Sequence, residues 1–400
     1  MAAKLIFIFA LMDSMMYSAD YLFLGDGNLL KNASVKVNRE GTILEILESS
    51  SNDESAIKIE GGISPSFINC HCHLELSHMH KKVEMHGGLH QFIPSLQSQR
   101  KVDQSTIDKA IQAWDQKMWE NGISAVGDIT NGLDSLPTKK SSKIHYHNFI
   151  ELFGLREAKA EEIFEHGSGV LERFKSEGLS ANLVPHSPYA VSDPLYKMIA
   201  EASRGKAISI HNQETKGERQ MFEEAKGPLQ EMLENFGNDP EEFAKEQSNS
   251  LLHALQFFPE DQKILLVHNT FSEAADLQAA SNSHSNLYWC FCPQANWYIE
   301  KTLPNIPLFL EPGLKCTLGT DSLASNLELS ILAEMKLIKS HYPEIKTNTL
   351  MQWACANGAE FFELDDLGKM EIGKKCGLNH ISNLDSNGEI TEDSAVSRII

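Results

Sequence analysis

The sequence predicts an α/β protein, a closed (β/α)8 TIM barrel with a small β module contributed by both chain ends. Two observations carry this. From about residue 65 to 364, eight short apolar runs alternate with longer amphipathic stretches, the rhythm of parallel βαβ units. The alternative, a doubly wound open sheet, would bring a G-x-G-x-x-G turn, which the sequence lacks. A length of 400 residues suits one large barrel with additions, or two to three smaller domains.

Taken in order, Ser18 to Glu48 read as short strands and turns: Ala19 to Leu24 is apolar, Gly25-Asp26-Gly27-Asn28 is a turn, and Ala33 to Val37 alternates with period two. Ser49 to Ser55 is a polar loop, after which Ile57 to Ile63 and Ser66 to Asn69 return to strand character. The eight runs are Phe67 to Cys70, Ser124 to Ile129, Asn148 to Phe153, Asn182 to Pro185, Ala207 to Ile210, Ile264 to Val267, Leu287 to Cys292 and Cys316 to Leu318. Helical stretches between them include Ser105 to Glu120, Ala158 to Ser176, Asp193 to Ala202, Ser272 to Ala280 and Leu327 to Ser340. Asn238 to Asn249 is an acidic insertion, and Leu350 to Phe362 supply the last barrel helices. The tail Leu367 to Ser397 again reads as turns and strands that pair with the N-terminal module. The expected division is 1–64, 65–364 and 365–400.

Composition narrows the function. With 35 Lys+Arg against 55 Asp+Glu the formal net charge is −20, which repels phosphate backbones and anionic membrane surfaces. The expected partner is a small molecule, with neither nucleic acid nor membrane, and homo-oligomerisation is compatible with the fold. Seven Cys, two pairs of them spaced C-x-C, suit a reducing cytoplasm better than a disulfide framework. Lys4 and the apolar run Leu5 to Met12 imitate a signal peptide, but Asp13 cuts the run short and no clear A-x-A site follows. Met15 and Met16 just ahead of the first strand-like segment leave open a start later than Met1. No stretch reaches the roughly 20 apolar residues of a membrane span.

The chemistry lies where ionisable residues meet the runs. Strand one ends in His71-Cys72-His73, strand four in His186, strand five in His211, strand six in His268 and strand eight in Gly319-Thr320-Asp321. In a barrel these positions face the C-terminal mouth, where active sites of this fold are built. Period two puts His71 and His73 on one side of their strand, within reach of one ion. Three neutral imidazoles and one carboxylate suit Zn2+ or Fe2+ with a position left for water. A single His among 16 is more simply a core residue; the set in register is not.

These stretches, with Pro65-Ser66-Phe67-Ile68-Asn69-Cys70-His71-Cys72-His73, His211-Asn212-Gln213-Glu214-Thr215, Val267-His268-Asn269, Cys292-Pro293-Gln294-Ala295-Asn296 and Gly319-Thr320-Asp321-Ser322, resemble the amidohydrolase superfamily in its aminohydrolase and chlorohydrolase branch. The resemblance implies a TIM barrel with a β-sandwich from both chain ends, and one metal held by His71, His73, His211 and Asp321. Two-metal members bridge their ions through a modified Lys at the end of strand four; here that strand leads into Pro185-His186-Ser187-Pro188-Tyr189. The implied roles are general-base work for His268 and Asp321, and for Glu214 proton transfer to the ring nitrogen beside the attacked carbon, so that ammonia leaves. As a plain structural residue, Glu214 would be a helix-start carboxylate.

Leu74-Glu75-Leu76-Ser77-His78 and Gly87-Gly88-Leu89-His90-Gln91-Phe92-Ile93 are similar to deaminases of adenosine-like nucleosides, among them the aminodeoxyfutalosine deaminases of the alternative menaquinone route and the deaminases of S-adenosylhomocysteine and methylthioadenosine. The first is the expected activity, and the Gly377-Leu378-Asn379 ending, without the A-D pair of many relatives, points the same way. In such enzymes His186 sits over the ring or sugar, and Trp297 is either an aromatic wall or rim packing. His78, His80, His86 and His90 are read as loop residues. The H-x-E of His73-Leu74-Glu75 lacks the following P-C-x-x-C of base deaminases, and the paired cysteines read as small core residues, not a zinc site. A chlorohydrolase or cyclic-amide hydrolase and a metal-free scaffold are the rivals; the scaffold fits poorly with every ligand position filled.

Overall fold

The structure, a computed structural model, describes residues 14–49, 54–238 and 249–400. The run Leu5 to Met12 and nearly all of the acidic insertion lie outside the described residues. The chain divides into two compact units: one holds the chain up to Ile68, Trp119–Ser124 and Met335–Ile400, the other Asn69–Met118 and Ala125–Glu334.

In the chain-end unit, β1 (Ser14–Phe23), β2 (Leu29–Asn38), β3 (Ile43–Leu47), β4 (Ile57–Pro65), β13 (Leu378–Ser382) and β14 (Ala395–Arg398) form one sheet in the order β14-β13-β4-β1-β2-β3. The predicted sandwich of two facing sheets is not what these strands make. The reason is β4, which takes β1 in parallel on one side and β13 antiparallel on the other, so both chain ends join edge to edge. Gly61 permits this: its φ is +96°, and a Cβ there would stand 2.5 Å from the Ile381 carbonyl oxygen. Tyr17, Leu22, Val35, Val37, Ile63 and Leu378 pack into its core. Met15 and Met16 are paired within β1, not placed ahead of it.

The second unit carries the predicted βα rhythm. All eight apolar runs are strands: β5 (Phe67–Cys72), β6 (Ile123–Thr130), β7 (His145–Leu152), β8 (Ser180–Pro185), β9 (Ile208–Asn212), β10 (Ile264–His268), β11 (Leu287–Phe291) and β12 (Lys315–Leu318). They form two four-stranded sheets, β5-β6-β7-β8 and β12-β11-β10-β9, with parallel pairing from β6 to β8 and from β9 to β12. Strands β5, β9, β10 and β11 are buried at every residue, which is why they read as unbroken apolar runs instead of alternating ones. At one seam a parallel bridge joins Cys72 to Asp321, and at the other the His211 N–H donates to the His186 carbonyl at 2.9 Å.

The predicted helices form at Gln104–Glu120, Ala160–Ser176, Asp193–Ala202, Ala274–Ser283 and Ile331–His341. The last starts four residues later than expected; Leu327 and Glu328 instead give their N–H groups to Asn326 Oδ1 in a turn. Helices at Leu89–Gln99, Leu136–Ser141, Lys216–Glu224, Pro228–Asn235 and Pro293–Glu300 were not predicted; they are short, or like Lys216–Glu224 bury few large apolar side chains. No helix of the described residues is long and apolar enough to cross a membrane. All seven cysteines are buried free thiols.

Candidate metal centre and its cavity

Strand β5 delivers His71 from its last turn of pleat and His73 just beyond its end, and their Nε2 atoms stand 3.2 Å apart. From the end of β9, His211 brings its Nε2 to 3.3 Å from that of His73. Asp321, three residues past β12, places Oδ1 3.5 Å from His71 Nε2 and 3.3 Å from His73 Nε2. Four donor atoms thus converge on one point, all on buried residues. A tetrahedral ion with bonds near 2 Å separates its ligand atoms by about 3.3 Å, so the spacing fits a divalent cation.

The protonation states fit as well. Burial pushes His73 down and His211 well down, which keeps both imidazoles neutral. His211 Nδ1 lies 3.0 Å from the His186 carbonyl oxygen; the proton sits there, and the Nε2 lone pair faces inward. Burial alone would raise Asp321, but the hydrogen bond with His71 and the imidazoles of His73 and His268 around it hold it well below the usual carboxylate range. Its Oδ2 also accepts the Ser325 hydroxyl. The donor set is therefore three imidazole nitrogens, those of His73 and His211 neutral, and one anionic oxygen.

Around this point stand the other residues the sequence singles out. His268 ends β10 with φ of 77° and Asp321 has φ of 55°, a left-handed backbone uncommon for side-chain-bearing residues and concentrated at functional sites. Burial pushes His268 down to about 3, so its ring is neutral. Its Nδ1 lies 3.0 Å from Asn296 Nδ2, and its Nε2 3.6 Å from Glu214 Oε1. Burial and the nearby Asp321 raise Glu214 well above the carboxylate range, leaving it a neutral carboxylic acid able to give a proton. His186 packs its ring 4.5 Å from that of His211. Its Nδ1 meets Glu151 Oε1 at 2.8 Å; burial alone lowers this imidazole, and the carboxylate raises it overall.

Three supporting residues escaped the sequence reading. Glu151, second to last in β7, holds His186 and accepts Asn131 Nδ2 at 3.1 Å; its strand-end position was the available signal. Glu218 accepts the backbone N–H groups of Gln213 and Glu214 at 3.1 and 3.3 Å, and its spacing of four from Glu214 could have revealed it. Asn296, at the end of Cys292-Pro293-Gln294-Ala295-Asn296, holds His268, and that motif was the available signal. Glu151, His186 and His211 also cluster closely enough for an ion, but Glu151 is already engaged by His186 and Asn131, and His211 Nδ1 by a carbonyl.

The site opens into a cavity of about 530 Å³. His73, His186, His211, Glu214, His268 and Asp321 make its polar part; Leu89, Phe92, Ile93, Leu96, Met232 and Ile299 make an apolar part, with Phe153, Phe236 and Arg100 also on the lining. Trp297 is not on that lining, and its ring stands edge-on to His86 at 6.2 Å. His80 and His86 bond from the loop to the carbonyls of Leu327 and Trp297; His78, expected in that loop, is buried in the short helix Leu74–Met79 and bonds to the Arg100 carbonyl, and His90 lies in the helix Leu89–Gln99.

Known proteins resemble this chain in sequence and in fold. A curated adenosine deaminase of Helicobacter pylori is 25% identical over 350 residues, covering 84% of this chain and 82% of that protein. An aminodeoxyfutalosine deaminase of Deinococcus radiodurans is 25% identical over 310 residues, covering 74% of this chain and 72% of that protein. The crystal structure of Helicobacter pylori aminofutalosine deaminase in complex with methylthio-coformycin superposes with a TM-score of 0.79 at 22% identity, over 91% of each chain, and shows the same fold. Residues 63–394 match the Amidohydrolase family, and the chain accordingly belongs to that family, as a hydrolase acting on carbon–nitrogen bonds.

Proposed function

We propose that the chain is a metal-dependent hydrolytic deaminase of an amino-purine nucleoside, with 6-amino-6-deoxyfutalosine as the substrate. The observation that carries this is a neutral Glu214 beside the converging His71, His73, His211 and Asp321, at the polar end of a cavity too large for a bare base. Those four residues would hold one Zn2+, or Fe2+ in its place. A divalent ion there lowers the pKa of water toward about 7. Asp321 and His268 take the proton of the attacking water. For His268 this requires a bare Nε2, which follows when Asn296 turns its amide so that Oδ1 accepts the Nδ1 proton. Glu214 gives its proton to the ring nitrogen next to the amino-bearing carbon, making that carbon electrophilic. Oxygen adds; the water proton held by Asp321 and His268 passes to the amino group, the carbon–nitrogen bond breaks with ammonia as the leaving group, and the proton remaining on the added oxygen restores Glu214 as the carbonyl forms. His186, fixed by Glu151, contacts the ring or sugar.

The remainder of the cavity favours a nucleoside with an extended sugar substituent. An aryl group fits the apolar part, and an aryl carboxylate finds Arg100, which stands 3.5 Å from Glu75 Oε1. The apolar lining equally favours a thioether such as methylthioadenosine, which is the second reading. We further propose that the two parallel sheets close into one eight-stranded barrel, supported by the Cys72 to Asp321 bridge and the His211 to His186 hydrogen bond. The division 1–64, 65–364 and 365–400 goes with this reading, as does a reducing cytoplasmic setting for seven free thiols.

The test is ammonia release by zinc-loaded protein from aminodeoxyfutalosine, methylthioadenosine, S-adenosylhomocysteine, adenosine, guanine and cytosine, with Asp321→Asn as control. Preferential turnover of the first, lost in the control, supports the reading. Turnover of another nucleoside keeps the mechanism and changes the substrate; silence on all of them with metal bound sinks the deaminase reading.

A further inference from the structure

We propose that Asp128, through the Oδ1 that its buried partner Lys139 leaves free for the Leu74 N–H, positions the His71-Cys72-His73 segment for metal binding, an inference that rests on the metal-centre reading above. Both side chains are fully buried, with Lys139 Nζ 2.5 Å from Asp128 Oδ2. Neither lines the cavity, so the pair has no contact with substrate. Lys139 Nζ also donates to Thr130 Oγ1 at 3.0 Å and lies 5.4 and 5.3 Å from the Tyr146 and Phe174 ring centres.

The other oxygen of Asp128 explains what the pair does. Oδ1 accepts the Leu74 backbone N–H at 2.8 Å, one residue after His73. Leu74 opens the 3-10 helix Leu74–Met79, whose first N–H groups have no partner within the helix, and no side-chain cap comes from His73. Asp128, reaching over from β6, supplies that acceptor and pins the chain where it leaves β5 with both imidazoles aimed inward. A buried carboxylate needs a counter-charge. Lys139, on Oδ2, supplies it and leaves Oδ1 turned to the Leu74 N–H. An apolar pair of similar volume would hold the core as well or better, so the return on burying two charges is the geometry fixed at Leu74.

The experiment compares the full-length wild type with two double variants. Lys139→Met with Asp128→Asn removes both charges but keeps a side-chain oxygen for Leu74; Lys139→Met with Asp128→Leu removes the oxygen as well. Zn2+ affinity is read by chelator competition and thermal unfolding is followed on metal-free protein. The first variant is expected to bind Zn2+ within about threefold of wild type, and the second about 10- to 100-fold more weakly at equal metal-free stability. Wild-type affinity in the second variant, or equal loss in both, overturns the proposal. A wild type that takes up no Zn2+ sinks the metal-centre reading instead. If the second variant does not fold, Lys139→Met alone decides: faster amide exchange at Leu74 with weaker Zn2+ binding supports the role, and no change in either overturns it.

Discussion

The chain-end sheet and the unit that holds the candidate site treat burial in opposite ways. In the first, Tyr17, Leu22, Val35, Val37 and Ile63 pack apolar atom on apolar atom, and ionisable side chains such as Lys31 and Glu45 point outward. In the second, His71, His211, Glu214, Glu218, His268 and Asp321 are all buried, and two of them, His268 and Asp321, sit on strained backbone. An apolar core gains stability from every residue it hides, whereas a hidden ionisable group gains only what its partners return. The difference teaches that this chain divides its labour: one unit spends its buried surface on stability, the other on holding protonation states that water would erase.

That contrast can be broken in order of expected effect. Asp321→Asn should abolish ammonia release and metal retention while the chain stays folded; metal content and turnover measured on one preparation check it, and full turnover would remove Asp321 from the site. Glu214→Gln should lower kcat by about 10² to 10⁴-fold with metal content unchanged, because it removes proton transfer and leaves the donor set intact. On the chain-end side, Leu22→Ala should cost about 2–5 kcal/mol in urea unfolding, with no change in metal stoichiometry. A loss of metal there would show that the division of labour is false. Arg100→Gln should raise KM about tenfold for a carboxylate-bearing nucleoside and leave methylthioadenosine unaffected.

The smallest effect tests the buried ionisable groups through pH. Burial pushes Glu218 up to about 7, against hydrogen bonds from Ser250 and the Gln213 and Glu214 amides that favour the ionised form. The folded state therefore holds a proton that the unfolded chain, with its ordinary value near 4.5, has released. The stability contributed is full at low pH and is lost as pH rises through 7. Glu218→Gln should flatten the decline in unfolding free energy between pH 5 and 8; an unaltered slope would mean that Glu218 is ionised in the fold.

Much of this was legible in the sequence because it is local. Apolar runs buried on both faces name β5 to β12 without ambiguity, and residues at their ends name His71, His73, His211, His268 and Asp321 as neighbours in register. The misses are nonlocal. Nothing at Lys139 distinguishes a buried ammonium from a solvated one, because its status depends on Asp128, Tyr146 and Phe174. Nothing at Glu218 shows that it is buried while it takes the Gln213 and Glu214 amides, because its burial depends on elements far along the chain.

The sequence by itself determined the family, the strand and helix rhythm and the set of donor residues, since each follows from residue type and spacing along one segment. Only the tertiary structure decided the single six-stranded sheet at the chain ends, the neutrality of Glu214 and the duties of Glu151, Glu218 and the Lys139–Asp128 pair. These depend on desolvation and on partners far away in the chain, and a buried charge is defined by what surrounds it.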